Sequence, residues 1–294
     1  MRQPKSIHGI VGDDTNMLEA VRGELRMVKR PLLFVEGSSD RTFMKIMFRS
    51  NVHVKPWNFK SSALEAIDIC KNQCKTYGYK QRALAIVDLD YDRIFNDVIE
   101  DSKWVMYVDV YNQESPSRDL EVMVFRSDAL YKVLCKYDRE SDSAHIRHQI
   151  LSQAAYIGAA DVFRQELPKT LTCRMKSWRK LDFEEFFNHE SLTLNLSKFV
   201  DYAIGEQIYS RCPKDGIIRD IGEIYVKYSH TELARGHDVV RMLSAHVLGG
   251  FEEHKFLSIE AQLVTACEQS EFTSYEVIKR IQSFIDNGVK AASC

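Results

Sequence analysis

No stretch of this sequence stays apolar for the about 20 residues that a membrane-spanning helix needs. Its opening residues, MRQPKSIHGIVGDD, lack the apolar core of a secretory signal. Neither sign of charge is in excess. There are 40 Lys+Arg against 42 Asp+Glu, a formal net charge of -2, which excludes a wholesale basic surface and makes any nucleic-acid contact a local patch. Cysteine offers no framework: there are seven, an odd number scattered from Cys70 to Cys294. Cys70 and Cys74, four apart on one expected helix, have no second Cys/His pair at zinc spacing. Also missing are internal repeats, low-complexity tracts, a Pro/Gly-rich linker and a Walker-type Gly-x-x-x-x-Gly-Lys-Ser/Thr loop, so ATP hydrolysis by this chain alone is not expected. These absences point to a cytoplasmic globular protein with no membrane association. With 45% hydrophobic and 28% charged residues over 294 positions, the chain has material for a sizeable core and about two domains.

Hydrophobic patterning divides the chain. Residues 1–30 read as a leader plus a helix with Met17, Val21, Leu25 and Val28 on its apolar side, broken at Arg30-Pro31. Leu32–Val35 is a continuous apolar run ending in Glu36-Gly37-Ser38-Ser39-Asp40, which fits a buried parallel strand. A helix is expected over 42–49, a strand at 52–54, a helix from Ser61 to Tyr77, a strand at 83–87 and a fourth strand over 104–111. Such alternation predicts a mostly parallel sheet flanked by helices. Beyond about residue 140 helical periodicity dominates, at 145–167, 220–228, 232–247, 259–268 and 275–287. The expected organisation is an N-terminal helix (1–27), an α/β domain (28–140) and a mainly helical C-terminal region (141–294).

The carboxylates carry the chemistry. Glu36 directly follows one buried run, and Asp88 and Asp90 directly follow another. Ligands of open α/β sheets bind beyond the carboxyl ends of the strands. Like charges gathered there repel, and a divalent cation relieves the repulsion. Mg²⁺ takes hard oxygen ligands. Positions i and i+2 of an extended segment point to one side, so Asp88 and Asp90 are expected to reach a single ion. Taken singly, each acid is equally well a helix cap or a partner of a helix dipole.

The segment Leu32-Leu33-Phe34-Val35-Glu36-Gly37-Ser38-Ser39-Asp40, followed by Ala85-Ile86-Val87-Asp88-Leu89-Asp90, resembles the Toprim domain of topoisomerases, bacterial primases and the OLD nucleases. Asp88-Leu89-Asp90-Tyr91-Asp92, with Asp119-Leu120-Glu121 downstream, is closer to a Toprim-like branch of bacterial defence islands, to which the effectors of the PARIS anti-phage system belong. Arg235-Gly236-His237-Asp238 before an apolar helix is similar to a Gly-His or Gly-Lys step in that branch. The resemblance spans roughly residues 30–135, plus the short match near His237. It implies catalytic roles for Glu36, Asp88, Asp90 and His237, and metal ligation by Glu36, Asp40, Asp88, Asp90 and Glu121. The metal implied is Mg²⁺, with Mn²⁺ as a substitute, one or two ions serving phosphodiester hydrolysis. It further implies a toxic defence effector restrained by a separate ABC-type ATPase, active as a homodimer or alone, cutting either tRNA, the favoured substrate, or DNA. Two residues keep two readings. Asp92 either bonds a metal ligand or caps a helix, and His237 either meets the scissile phosphate or holds the helical region in place.

Nucleic-acid contacts are expected at two places. Ser38 and Ser39 sit where backbone N–H groups at a helix start meet a phosphate. The stretch from Lys169 to Lys180 carries five basic residues and no acid; Arg174, Lys176, Arg179 and Lys180 suit phosphates, and Trp178 either stacks on a base or packs inside. Against the nuclease stand two alternatives, a strand-passing or primer-making Toprim protein and a non-catalytic regulatory module that keeps the fold for binding.

Overall fold

The structure is a computed structural model and describes residues 14–77, 81–97, 103–108, 117–167, 181–206 and 213–292. It is an α/β fold: a four-stranded all-parallel sheet flanked by helices, with a helical C-terminal region. Contacts group the chain into two compact units, Met1–Val87 with Asp101–Met106 and Arg280–Cys294, and Asp88–Glu100 with Tyr107–Lys279. In the second unit the helices after residue 117 pack on later helices.

The first unit begins with α1 (Asp14–Met27), β1 (Leu32–Val35), α2 (Ser38–Phe48), β2 (His53–Pro56), α3 (Lys60–Tyr77) and β3 (Ala83–Val87). Every residue of β1 and β3 is buried, as their unbroken apolar character requires for central parallel strands. After a single turn, α4 (Asp92–Phe95), the edge strand β4 (Val105–Tyr107) completes the order β2-β1-β3-β4. The fourth strand is thus shorter than the expected 104–111, of which 109–111 lie outside the described residues. Leu32 pairs with His53 on one side and with Ala83 on the other. The chain steps one way through α2 and back through α3, so right-handed crossovers set these helices on opposite faces. Ala63, Ala66, Ile67 and Cys70 form the buried stripe of α3 at helical spacing. Glu24 of α1 reaches His53 and Lys55 of β2, each at 3.1 Å.

One short feature departs from the sequence expectation here. The helix expected from Thr42 starts at Ser38, because Gly37 takes the N-cap and the Asp40 carboxylate accepts its N–H at 2.6 Å. Ser38 and Ser39 are therefore helix residues, not a preceding turn. The Cys70 thiol is buried and pushed up to about 12 by that burial, a packing residue rather than a reactive one.

The second unit continues with α5 (Leu120–Arg126), α6 (Asp128–Cys135), α7 (Ser143–Glu166), the hairpin β5 (Phe187–Asn188) and β6 (Thr193–Leu194), α8 (Leu196–Gly205), α9 (Lys214–Lys227), α10 (His230–Leu233), α11 (Gly236–Leu248), α12 (Glu253–Ala266), α13 (Gln269–Phe272) and α14 (Glu276–Ala292). The last residues of α14, from Arg280, group with the first unit. The long α7 is the centre of its unit and packs on α6, α9, α10 and α11. The single helix expected over 232–247 is broken at Ala234-Arg235. Ser229 and Glu232 form a capping box that starts α10, and Ala234 (ψ 127) leaves helical geometry before α11 begins. Among the described residues no helix is long and apolar enough to cross a membrane.

Candidate functional site

Glu36 and Asp40 belong to the first unit, and Asp88, Asp90, Glu121 and His237 to the second. In the first, Glu36 is half-buried and follows β1 without an intervening residue. Asp40 is 6% exposed, and its carboxylate closes the turn into α2 through the Gly37 N–H. Ser38 and Ser39 occupy the first turn of α2, whose N–H groups lie outside the helix's own hydrogen-bond ladder.

In the second unit, the chain leaves β3 straight into Asp88, whose Oδ1 accepts from the Leu120 N–H at 3.2 Å. Asp90 does not continue an extended segment. Its φ is 53, and its N–H donates to the Arg118 carbonyl at 3.1 Å. The premise that Asp88 and Asp90 share one side of a strand therefore fails, since a left-handed residue redirects the side chain. The Asp90 carboxylate, 42% exposed, pairs with Arg118 Nη2 at 3.3 Å.

Arg118 organises the surroundings. Its guanidinium carbon lies 3.7 Å from the centre of the Tyr91 ring, a cation–π stack. Among the described residues its buried Nε and Nη1 have no hydrogen-bond partner. Burial alone would favour losing the proton, but Tyr91, Asp90, Asp119 and Asp161 around it hold the guanidinium charged, above its ordinary range. Burial likewise raises the Tyr91 hydroxyl, leaving it a neutral donor to the carbonyls of Gly158 and Leu233, both at 3.2 Å.

Asp119 joins two helix starts. Its Oδ1 accepts from Val122 N–H at 3.0 Å as the N-cap of α5, and its Oδ2 accepts from Gly236 N–H at 2.8 Å at the head of α11. Burial raises its pKa against the pull of Arg118 and of these two N–H groups. Only glycine fits at 236, because a Cβ there would lie 2.4 Å from Asp119 Oδ1 and 2.5 Å from the Glu121 Cβ. Glu121 is thereby set beside the start of α11. Arg235 Nε reaches Asp238 Oδ2 at 3.5 Å, with Asp238 only 2% exposed. His237, next in the chain, is exposed and lies 5.6 Å from the Phe256 ring. Asp92 opens the short α4 and is half-buried.

Within this unit the structure therefore brings Asp88, Asp90 and Glu121 to the joined starts of α5 and α11, and His237 to the outer side of α11. Arg118, Asp119 and Tyr91, which hold this arrangement, escaped the sequence reading as functional residues. Tyr91 and Asp119 stand inside the two acidic motifs, and Arg118 directly precedes the second, but nothing in the sequence marks their packing role. Arg174, Lys176, Trp178, Arg179 and Lys180 lie outside the described residues.

Carboxylate oxygens suit Mg²⁺ or Mn²⁺ in kind. Among the described residues no three His, Cys, Asp or Glu side chains are gathered to hold an ion. The carboxylates are instead bonded to protein groups, namely Asp40 to Gly37, Asp88 to Leu120 and Asp90 to Arg118. A cation would take Asp90 in competition with Arg118. Compared with known proteins, the chain matches no family model, and no curated protein matches it by sequence.

Proposed function

We propose that this chain is a metal-dependent Toprim-type nuclease, the toxic effector of an anti-phage defence system, kept in check by a separate ATPase, with RNA (tRNA) the favoured substrate and DNA the alternative. The observation that supports the reading is topological. β1 and β3 are paired parallel neighbours in the middle of the sheet, and the chain passes from one straight into Glu36 and from the other straight into Asp88. Carboxyl ends of central parallel strands are where open α/β sheets bind ligands.

In this reading Glu36, Asp88 and Asp90 hold Mg²⁺ or Mn²⁺, with Glu121 and Asp40 as further oxygen donors. The bound ion supplies Lewis acidity toward the phosphate and a hydroxide at neutral pH. The first-turn N–H groups of α2, at Ser38 and Ser39, orient a phosphate. His237, exposed at the start of α11, positions the leaving side of the substrate. Arg118 holds the Asp90 carboxylate in place through their 3.3 Å ion pair, and a bound ion would compete with it for that carboxylate.

The test is to incubate the purified chain with Mg²⁺ or Mn²⁺ and with total tRNA and plasmid DNA in parallel. Glu36→Ala is compared with wild type at matched soluble yield and melting temperature. Cleavage should fall by at least ~100-fold, the scale of losing one electrostatic stabiliser. The same substitution should relieve any growth defect caused by the chain expressed alone. Equal cleavage by both proteins would remove the acidic cluster as the active site and leave the binding-module alternative.

A further inference from the structure

In the first compact unit a cavity of about 500 Å³ opens beside α1, α3 and the start of β3. Its wall carries Arg22 and Arg26 from α1, Arg82 just before β3, and Gln73 and Tyr77 from α3, over an apolar floor at Leu25. Three arginines thus line it, and none of its described lining residues is a carboxylate. The nearby Glu24 is taken up by His53 and Lys55. Among the described residues neither Arg22 nor Arg26 is ion-paired.

The placement of these groups is specific. Arg82 is anchored, its Nη2 donating to the Val28 carbonyl at the end of α1. Arg22 and Arg26 stand one helical turn apart on the same side of α1. Three guanidinium groups lining one cavity give it a positive wall, which attracts a dianion. Their forked N–H groups match phosphate oxygens in pairs. On the opposite wall Gln73 and Tyr77 are likewise one turn apart on α3. Tyr77 is 56% exposed and lines the cavity with an aromatic side chain. The Gln73 amide can both donate and accept. The volume lies within the about 300–1,000 Å³ of small-molecule sites. Cys74, also on this wall, has its thiol pKa raised, chiefly by burial.

We infer that this cavity binds a mononucleotide, with Arg22, Arg26 and Arg82 holding the phosphate, Tyr77 stacking on the base and Gln73 reading its edge. The site uses none of the carboxylates assigned to the nuclease reading and stands or falls apart from it. The full chain is titrated, in EDTA, against AMP and GMP carrying a fluorescent ribose label, followed by anisotropy. Saturable binding is expected, displaced by unlabelled AMP or GMP and not by adenosine. The double variant Arg22→Ala/Arg26→Ala should weaken it by at least ~10-fold through loss of charge-assisted hydrogen bonds, at an unchanged melting temperature. Tyr77→Ala should weaken it without restoring displacement by adenosine, while Glu36→Ala binds as wild type. No binding at millimolar ligand, wild-type affinity in the double variant, or equal displacement by adenosine or inorganic phosphate would each overturn the inference. Displacement by a short RNA at far lower concentration than AMP would also overturn it, assigning the arginines to a polynucleotide.

Discussion

Asp119 shows how much one buried carboxylate does here. It caps α5 and, across 117 residues of sequence, also caps the start of α11. Asp119→Ala removes the cap and strands the Gly236 N–H, so a loss of about 2–4 kcal/mol is expected in chemical denaturation. Asp119→Asn keeps an acceptor without a buried charge and should cost less, because burial already disfavours the ionised form. If both variants unfold with the wild-type midpoint, the junction of α5 and α11 does not depend on Asp119. The same comparison bears on Asp88 and Glu121, whose positions follow from the start of α5.

At the scale of elements, the crossing of α7 and α10 is decided by one glycine. A Cβ at Gly158 would lie 1.8 Å from the Leu233 carbonyl oxygen and 3.1 Å from the Tyr91 hydroxyl. A backbone carbonyl cannot swing aside as a side-chain end can, so α10 as a whole must move. Gly158→Ala should therefore destabilise by about 1–3 kcal/mol or more, despite the better helix propensity of alanine. Gly222 in α9 is the control, since nothing lies within 4 Å of its Cβ position. Gly222→Ala should stabilise by about 0.5–1 kcal/mol. Opposite shifts in melting temperature for the two variants are the expected result, and parallel shifts would contradict the close approach.

At the scale of the whole molecule, stability should fall on mild acidification. His230 has its pKa lowered by burial and then by the neighbouring His148, and His246 is lowered chiefly by burial. Both are therefore neutral in the folded chain at pH values where the unfolded chain, at an ordinary 6.5, already takes up protons. Unfolding is then linked to proton uptake. The stabilisation is fully present above pH 6.5 and is lost as pH falls through the lowered folded values. Denaturation midpoints measured from neutral pH down to about pH 5 should decline, and His230→Gln should flatten the decline. A midpoint constant across that range would show that these rings protonate without cost.

The sequence by itself determined the parts that depend on local pattern. Unbroken apolar runs made β1 and β3 central parallel strands, the 63, 66, 67, 70 spacing made α3 a helix buried on one side, and the positions of Glu36 and Asp88 at strand ends followed at once. Only the tertiary structure decided the left-handed turn at Asp90, the break between α10 and α11, and the two-residue strands of β5 and β6. It also decided the stacking of Arg118 on Tyr91 and the three-arginine cavity. The reason is range. Periodicity reports which side of an element is buried, whereas these features depend on a partner far along the chain, such as Leu233 for Tyr91 at a separation of 142 residues. No local spacing carries that information, because it arises only when helices pack and buried polar groups must find partners.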